Sequence, residues 1–507
     1  MKFERSGGVL LHPTSLPGPY GVGDLGPQAY RFVDWLASAG CKLWQVLPLG
    51  PTGYGDSPYQ CFSAFAGNPY LISPDDLLQD GLLTQDDLTD VPTFNASRVD
   101  FGLLIPWKLN LLLKVFSRFD SASDALHKEF DYFCAENVSW LDDYALFMSL
   151  KEANGGGAWR DWDKPIRTRG KRAMDKARKE HAENVRRYSF YQFLFFRQWN
   201  NLRNYANEQN VKIIGDIPIF IAYDSADAWS HPELFFLDKN SLPTVVAGVP
   251  PDYFSPTGQL WGNPLYRWDV HKETEYAWWL ARFRAVLDQV DIVRLDHFRG
   301  FAGYYEIPFG STTAETGRWA PGPGFDFFKT LDAKLSEART AEIELPIIAE
   351  DLGVITPDVE KLRDDFKLPG MKILQFGFDS AKNPFLPHNY PAQCAAYTGT
   401  HDNDTARGWF DSAPENEREF SLRYLNMRPS NGADPSAGFA RNLIRSVWSS
   451  VAVFALAPMQ DMLNLGTDAR MNFPSRLGGN WEWRMRDEDM SATLAQSLRE
   501  LNELYLR

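Results

Sequence analysis

Apolar runs typical of short, buried β-strands recur along the chain, and polar or charged residues stand at the end of each run. Helical patterns separate several of these runs, such as residues 29–40 and 277–290. Alternating strands and helices predict a parallel sheet, and eight strands predict an α/β fold of the (β/α)₈, or TIM, barrel type. The eight runs are residues 8–15, 42–49, 211–220, 291–298, 346–353, 371–378, 393–402 and 451–461.

Two gaps between the runs are too long for single crossovers. We expect residues 50–210, after the second strand, to form inserted loops and a mainly α-helical subdomain. Residues 221–290, after the third strand, are rich in Pro, Gly and aromatic residues, and we expect an inserted subdomain with an active-site loop. A plain surface excursion is the alternative for this second insertion. The chain as a whole, 1–507, is then one catalytic barrel domain.

Composition and charge narrow the class of partner. The chain has 507 residues and a net charge of −14, which disfavours nucleic acid, because phosphate contacts require Lys and Arg. No run of 18 uncharged apolar residues occurs, so no membrane span is expected. Four cysteines without CxxC spacing, and a start without a secretory signal, indicate a cytoplasmic protein. Aromatic residues make up 14%, and several stand in polar loops, where flat rings suit sugar faces.

Four acidic residues stand at or just after the ends of predicted strands: Asp216, Asp296, Glu350 and Asp402. Each alone could be a cap or a salt-bridge partner. In a barrel, however, the carboxyl ends of all strands meet at one rim, which is where active sites are built. Four carboxylates gathered there destabilise a fold unless function requires them.

Asp296 and Glu350 suit the two roles of retaining glycoside chemistry. Side chains alternate along a strand, so Arg294 shares a face with Asp296 and can keep it ionised as a nucleophile. An isolated Arg–Asp ion pair is the structural alternative. Glu350, with its pKa raised by the nearby Asp296 charge, can hold a proton and act as the acid and then the base. Asp351, the next residue, points away and is structural.

Asp402 stands in "TGTHDNDTARGWF", where it can bond sugar hydroxyls and stabilise positive charge in the transition state. His401 beside it can donate to a hydroxyl. A metal site is the alternative, but the EF-hand pattern fails because Arg407 occupies the Gly position. "GVGDLG" (21–26) matches a dinucleotide motif weakly and is better explained as a turn before a helix near Pro27. No cofactor and no metal are expected, since side chains supply the chemistry.

Several long motifs, in order along the chain, resemble the amylomaltase family of the α-amylase clan, also called 4-α-glucanotransferases or disproportionating enzymes. The resemblance covers essentially the whole chain and implies a TIM barrel without the clan's C-terminal β-domain. The motifs are "SLPGPYGVGDLG" (15–26), "LPLGPTGYGDSPYQ" (47–60), "GDIPIF" (215–220), "GVPPDYFSPTGQLWGNPLY" (248–266), "VRLDHFRGF" (293–301), "AEDLG" (349–353), "TGTHDNDT" (398–405) and "ARMNFPS" (469–475).

The resemblance also implies roles for single residues. By match, Asp296 is the nucleophile, Glu350 the acid/base and Asp402 the transition-state stabiliser. Trp261 and Gln259 fall in a segment similar to the family's active-site loop, near 248–264. The residues expected to bind substrate are Arg294, His401, Asp216, Tyr59, Ser57, Trp261, Gln259, Asn464 and Tyr54.

The predicted activity is transfer of α-1,4-glucan segments from a donor to the 4-hydroxyl of an acceptor glucan or glucose, through a glycosyl ester on Asp296. Transfer in place of hydrolysis requires an acceptor at high effective concentration and exclusion of water, and the aromatic loop near 248–264 is the candidate for both. A hydrolase with the same site and a non-catalytic carbohydrate-binding protein are the alternatives. Expected partners are α-1,4-glucans and maltooligosaccharides. Preferred chain length and oligomeric state do not follow from the sequence.

Overall fold

The structure is a computed structural model that describes residues 3–251, 255–336, 345–427, 434–474, 476 and 478–507. Two sets of strands occur in it, a closed parallel barrel and a separate four-stranded antiparallel sheet. The strands are β1 (Ser6–Leu10), β2 (Leu43–Gln45), β3 (Lys212–Pro218), β4 (Val245–Val249), β5 (Gln259–Pro264), β6 (Ile292–Asp296), β7 (Gly303–Pro308), β8 (Arg318–Pro321), β9 (Ile347–Ala349), β10 (Gly370–Ile373), β11 (Cys394–Tyr397) and β12 (Phe454–Pro458).

Helices surround the barrel and form most of the first insertion. They are α1 (Pro27–Ser38), α2 (Pro74–Gln79), α3 (Phe101–Phe119), α4 (Asp124–Glu136), α5 (Val138–Ala153), α6 (Lys164–Arg167), α7 (Lys171–Glu180), α8 (Ala182–Glu208), α9 (Ala226–Ser230), α10 (Trp268–Glu273), α11 (Ala277–Leu287), α12 (Arg299–Ala302), α13 (Gly324–Ser336), α14 (Pro357–Asp365), α15 (Ala406–Ser412), α16 (Glu415–Tyr424), α17 (Phe439–Ser449), α18 (Met459–Met462) and α19 (Ala492–Leu504).

The barrel closes in the order β1-β2-β3-β6-β9-β10-β11-β12, with β12 pairing back to β1. All eight pairings are parallel. Each of the eight predicted runs overlaps one barrel strand, so the predicted (β/α)₈ barrel is confirmed. The runs predict the strands well because both faces of a barrel strand are covered, which selects nearly continuous apolar sequence.

Alternate residues of each barrel strand face two different cores. In β6, Ile292 packs inside the barrel with residues such as Met371 and Tyr397, whereas Val293 and Leu295 pack in the layer between strands and helices. Since side chains alternate along a strand, Arg294 and Asp296 share the interior face with Ile292. The last two interior positions of this strand therefore carry charges, at the end that opens toward the cleft.

The first insertion, between β2 and β3, is largely helical and contains α2–α8. Aromatic packing joins its helices; for example, the rings of Phe119 in α3 and Phe190 in α8 stack with centroids 4.2 Å apart. These contacts give the insertion apolar packing of its own beside the barrel. The division of the chain into one catalytic domain with two inserted subdomains stays a prediction.

The four-stranded sheet, with the order β5-β4-β7-β8, was not predicted. It combines β4 and β5 of the second insertion with β7 and β8, which follow β6 in the chain. The sequence offers little signal for it, because β4 pairs with a strand about sixty residues further on and partner choice is not a local property. This sheet carries β5, with Gln259 and Trp261, to the mouth of the barrel.

The chain ends with helices. After β12, residues 459–474, 476 and 478–507 contain α18 and α19 and no further strand. The guanidinium of Arg507 donates to the backbone carbonyls of Trp448 and Ser450, which fastens the C-terminus beneath the barrel. No helix of the described ranges is long and apolar enough to cross a membrane.

Candidate active site

A cleft that is partly open to solvent lies at the carboxyl ends of the barrel strands. Most residues predicted to form the site line this cleft, although they come from four different segments of the chain. The residues concerned are Tyr54, Ser57, Tyr59, Gln259, Trp261, Asp296, His401 and Asp402.

Arg294 connects two carboxylates at the floor of the cleft. Its Nη1 lies 2.7 Å from Oδ2 of Asp216, and its Nη2 lies 2.8 Å from Oδ1 of Asp296. The prediction that Arg294 and Asp296 share a face is thus confirmed. Burial lowers the pKa of Arg294, but the carboxylates of Asp216 and Asp296 raise it more, so the guanidinium stays charged.

Asp216, on β3, is the more deeply buried of the two carboxylates. Its Oδ2 accepts a second hydrogen bond, from the Tyr59 hydroxyl at 2.9 Å. Burial raises the pKa of Asp216, and the neighbouring Arg294 opposes that shift. Asp216 thus holds Arg294 and Tyr59 in position beneath the cleft, whereas Asp296 faces the open space.

Glu350 follows β9 and has a different environment. Its Oε2 accepts from the backbone N–H of His297 at 2.7 Å, and its Oε1 accepts from the backbone N–H of Leu352 at 2.8 Å. Burial raises the pKa of Glu350 to about 7, and the charge of Asp296 adds to the shift. The sequence predicts the Asp296 charge as the cause of the raised pKa; in the structure, burial contributes more.

The turn after β6 brings these two carboxylates together. His297 has a left-handed φ of 51°, which is unusual for a residue with a side chain. This conformation directs its N–H to the Glu350 carboxylate immediately after Asp296. The backbone N–H of Phe298 also donates to the Glu350 carbonyl, so the ends of β6 and β9 are joined.

Asp402 is held by residues that the sequence analysis did not single out. Nδ2 of Asn472 donates to Oδ1 of Asp402 at 2.7 Å, and Nη2 of Arg470 donates to the Asp402 carbonyl at 2.6 Å. Both belong to the motif "ARMNFPS", which entered only as part of a resemblance. The polar Asn472 within this motif was a signal of a functional residue. Its contact with Asp402, seventy residues away in the chain, could not be inferred from the sequence.

His401 packs between aromatic rings at the side of the cleft. Its imidazole stacks on Tyr59, with centroids 5.0 Å apart, and lies 5.9 Å from the ring of Trp481. Its Nε2 lies 3.4 Å from Oδ2 of Asp402. Burial lowers the pKa of His401, so the ring is neutral near pH 7 and suits hydrogen bonding to a hydroxyl.

The aromatic loop lies opposite this wall. Nε1 of Trp261 donates to Oε1 of Gln259 at 3.1 Å, which orients both side chains at the cleft. Tyr54 is 76% exposed at the rim. Residues 252–254 of the predicted loop near 248–264 lie outside the described residues.

Asn464 is the one predicted site residue that the structure does not bring toward the cleft. It follows α18 with a left-handed φ of 52°, and it lines another cavity together with residues of α17 and α19. Its Nδ2 donates to the Ala437 carbonyl at 3.3 Å. The Asn464 side chain therefore contacts the segment just before α17 and not the cleft.

Two features interpreted as structural have clear structural roles. Asp351 accepts from the Met371 backbone N–H at 2.7 Å and pairs with Arg363. "GVGDLG" (21–26) forms the turn before α1, where Oδ1 of Asp24 accepts from the backbone N–H of Gly26. Within the described ranges, no group of three or more His, Cys, Asp or Glu residues could hold a metal ion.

Comparisons with known proteins agree on one family. Residues 11–491 match the family model described as 4-α-glucanotransferase. The chain is 48% identical over 511 residues to a 4-α-glucanotransferase of Synechocystis, covering 100% of this chain and 99% of that protein. It is 50% identical over 513 residues to one of Thermus thermophilus, covering 99% of each. Among solved structures it is similar to the amylomaltase of Streptococcus agalactiae in complex with acarbose, with a TM-score of 0.94 and 39% identity, covering 99% of this chain and 100% of that one.

Proposed function

The chain belongs to the 4-α-glucanotransferase family and is an enzyme of that activity, and from that premise we propose a retaining, double-displacement mechanism through a covalent glycosyl ester on Asp296. The donor is an α-1,4-glucan or maltooligosaccharide, and the acceptor is the 4-hydroxyl of another glucan or of glucose. One observation carries this proposal: two carboxylates lie side by side, Asp296 in an ion pair with Arg294 and Glu350 bonded to the backbone N–H of His297.

In the first step, Asp296 attacks the anomeric carbon of the donor. Arg294 engages Oδ1, which leaves Oδ2 as the attacking oxygen. The bond from the anomeric carbon to the glycosidic oxygen breaks as the ester bond forms, and Glu350 gives its proton to that oxygen. The leaving glucan departs with a free 4-hydroxyl, and Glu350 becomes a carboxylate.

In the second step, the acceptor reverses this chemistry. Formation of the ester removes the negative charge of Asp296, and with it one of the causes that raise the pKa of Glu350. Glu350 then takes the proton of the acceptor hydroxyl, whose oxygen attacks the anomeric carbon and releases the Asp296 carboxylate. The configuration at the anomeric carbon is inverted twice and therefore retained.

The third carboxylate has a supporting role in both steps. Asp402, oriented by Asn472, offers negative charge to the oxocarbenium-like transition state. His401 and Tyr59 form the aromatic wall against which the attacked sugar rests, and Asp216 holds Tyr59 in position from beneath. Preorganised charge of this kind is effective because it needs no rearrangement during the reaction.

Incubation with maltotriose tests the proposed function. A transferase produces glucose together with a ladder of longer oligosaccharides, which chromatography resolves. Accumulation of glucose and maltose without elongation would indicate a hydrolase and would contradict the proposal. To test for the covalent intermediate, the enzyme can be quenched during turnover and analysed by peptide mass spectrometry, which should find a glycosylated peptide containing Asp296.

A further inference from the structure

The two ring nitrogens of His401 have different surroundings. Nε2 lies 3.4 Å from Oδ2 of Asp402, at the wall of the cleft. Nδ1 is buried, and no residue in the described part of the chain bonds to it. A buried polar atom without a partner loses the hydrogen bond that it would make in water, so it destabilises the fold unless something satisfies it. Nδ1 of His401 therefore calls for a partner.

A second, much smaller cavity also borders His401. It measures about 20 Å³, which is room for about one water molecule. His12, just after β1, lines the same cavity, and its Nδ1 is likewise buried without a partner among the described residues. His12 is 5% exposed and His401 4%. Two unsatisfied imidazole nitrogens thus border one space that can hold a water molecule.

The other polar side chains around this cavity have partners of their own. Asp461 accepts from the Thr398 hydroxyl and from the Ala406 backbone N–H, both at 2.6 Å. Nη2 of Arg470 donates to the Asp402 carbonyl at 2.6 Å. Among the described polar side chains that line the cavity, the two histidines are the ones with an unpartnered buried nitrogen. A water molecule in this cavity therefore finds its missing partners in these two rings.

The chemistry of the rings determines the direction of the hydrogen bonds. Burial and the neighbouring His401 lower the pKa of His12 to about 3, and burial lowers the pKa of His401, so both rings are neutral near pH 7. A neutral imidazole has one donor and one acceptor nitrogen. The Asp402 carboxylate beside Nε2 of His401 favours the proton on that nitrogen. Nδ1 of His401 is then an acceptor and requires a donor.

We propose that His12 is a positioning residue that holds a water molecule in this cavity, and that this water donates a hydrogen bond to Nδ1 of His401. The bond made by one ring nitrogen determines which nitrogen carries the proton. It also opposes a half-turn of the ring, which stacking on Tyr59 alone would permit. His401 thus presents an N–H to a hydroxyl of the attacked sugar, beside the accepting oxygens of Asp402. The inference rests on the proposed function, which gives His401 a sugar to bond.

Nuclear magnetic resonance of the full-length enzyme without substrate tests the tautomer directly. With ¹⁵N in the imidazole rings, long-range ¹H–¹⁵N correlations show which nitrogen carries the proton, and the signals of His401 are those that His401→Phe removes. We expect the proton on Nε2 in the wild type and a mixture of tautomers in His12→Phe. A proton on Nδ1 of His401 in the wild type would overturn the inference, and that measurement requires no His12 variant to fold. An unchanged tautomer in a folded His12→Phe would also overturn it.

Kinetics test whether the tautomer matters for the reaction. His12→Phe removes both nitrogens, and its kcat/KM for maltotriose should fall about tenfold, as for one lost hydrogen bond. Maltosyl fluoride, in which fluoride replaces the leaving sugar, should show the same loss, because both donors present the attacked sugar to His401. His12→Asn, whose amide stands where Nδ1 stood, should recover part of the activity, whereas His12→Gln should not.

His271→Phe is the matched control for the removal of a buried histidine. His271 is 0% exposed, and both of its ring nitrogens are unpartnered among the described residues. It lines neither the cleft nor the small cavity. Its kcat/KM should equal that of the wild type, and thermal denaturation should show that it and the His12 variants are folded. An equal kinetic loss in His271→Phe would assign the His12 effect to general packing and overturn the inference.

A double variant separates action through His401 from an independent effect. His12→Phe combined with His401→Phe should be no slower than His401→Phe alone, since His12 acts through that ring. Additive losses would overturn the inference, and so would a loss confined to maltotriose, which would place the effect at the leaving sugar. A wild type that forms glucose and maltose without longer products would contradict the proposed function. The tautomer measurement, which needs no substrate, would still decide whether His12 orients His401.

Discussion

The environments of Asp296 and Glu350 differ although both residues carry a carboxyl group and follow neighbouring strands, β6 and β9. Asp296 lies 2.8 Å from a buried guanidinium, and that cation is shared with Asp216. Glu350 is half-buried and accepts its two hydrogen bonds from backbone N–H groups, which carry no formal charge. A cation favours the ionised form of a carboxyl group, and burial favours the neutral form. The pair therefore suits a division into nucleophile and acid.

The largest effect is expected when the nucleophile is removed. Asp296→Asn keeps the size of the side chain but removes the attacking carboxylate, so turnover of maltotriose should fall more than about 10⁴-fold. Thermal denaturation should show that the fold survives. Undiminished activity in a folded variant would exclude Asp296 from the mechanism, and the contrast between Asp296 and Glu350 would then have no catalytic meaning.

Glu350→Gln tests the other side. Loss of the acid should slow turnover of maltotriose by about 10²–10⁴-fold. Ester formation from maltosyl fluoride should be largely spared, because fluoride leaves without a proton. Equal damage to both donors would show that Glu350 acts by some means other than proton transfer.

Removing the shared cation should affect stability as well as rate. Arg294→Met leaves the buried Asp216 carboxylate with only the Tyr59 hydroxyl as a partner and leaves Asp296 without a counter-charge, which should cost about 3–5 kcal/mol of unfolding free energy, measured by urea denaturation. The matched variant Arg294→Met with Asp216→Asn should recover part of the loss, since one uncompensated carboxylate is gone. A cost near zero for the single variant would indicate that water, not Arg294, solvates these groups.

The smallest expected effect is a pH dependence that belongs to Glu350 alone. The acid must be protonated in the free enzyme, and burial raises its pKa to about 7. The value of kcat/KM for maltotriose should therefore be maintained below this pH and fall about tenfold per unit above it. With maltosyl fluoride as the donor, this decline at high pH should disappear from the rate of ester formation. A decline that persists with fluoride would belong to another group.

Local sequence predicted the barrel and the strand ends at which its acidic residues stand. Each apolar run became a strand, and the acidic residues that ended the runs arrived at the rim, because strand direction determines where the end of a run lies. Arg294 and Asp296 share a face because the strand period is two residues. The four-stranded sheet escaped prediction, since β4 pairs with β7 across the whole of α10, α11 and β6.

The sequence also did not reveal which distant residues the site side chains contact. Asn472 contacts Asp402 from seventy residues away in the chain. Asn464, predicted to bind substrate, lines another cavity. The cause of the raised pKa at Glu350 likewise depends on the layers that cover it.

Periodicity and residue type thus specify which groups stand at the mouth of a barrel, because backbone geometry repeats identically along every strand. Distant neighbours decide which of those groups holds a proton, which is bound by an amide and which faces a sugar. The reason is that burial and hydrogen bonding are properties of the whole folded chain.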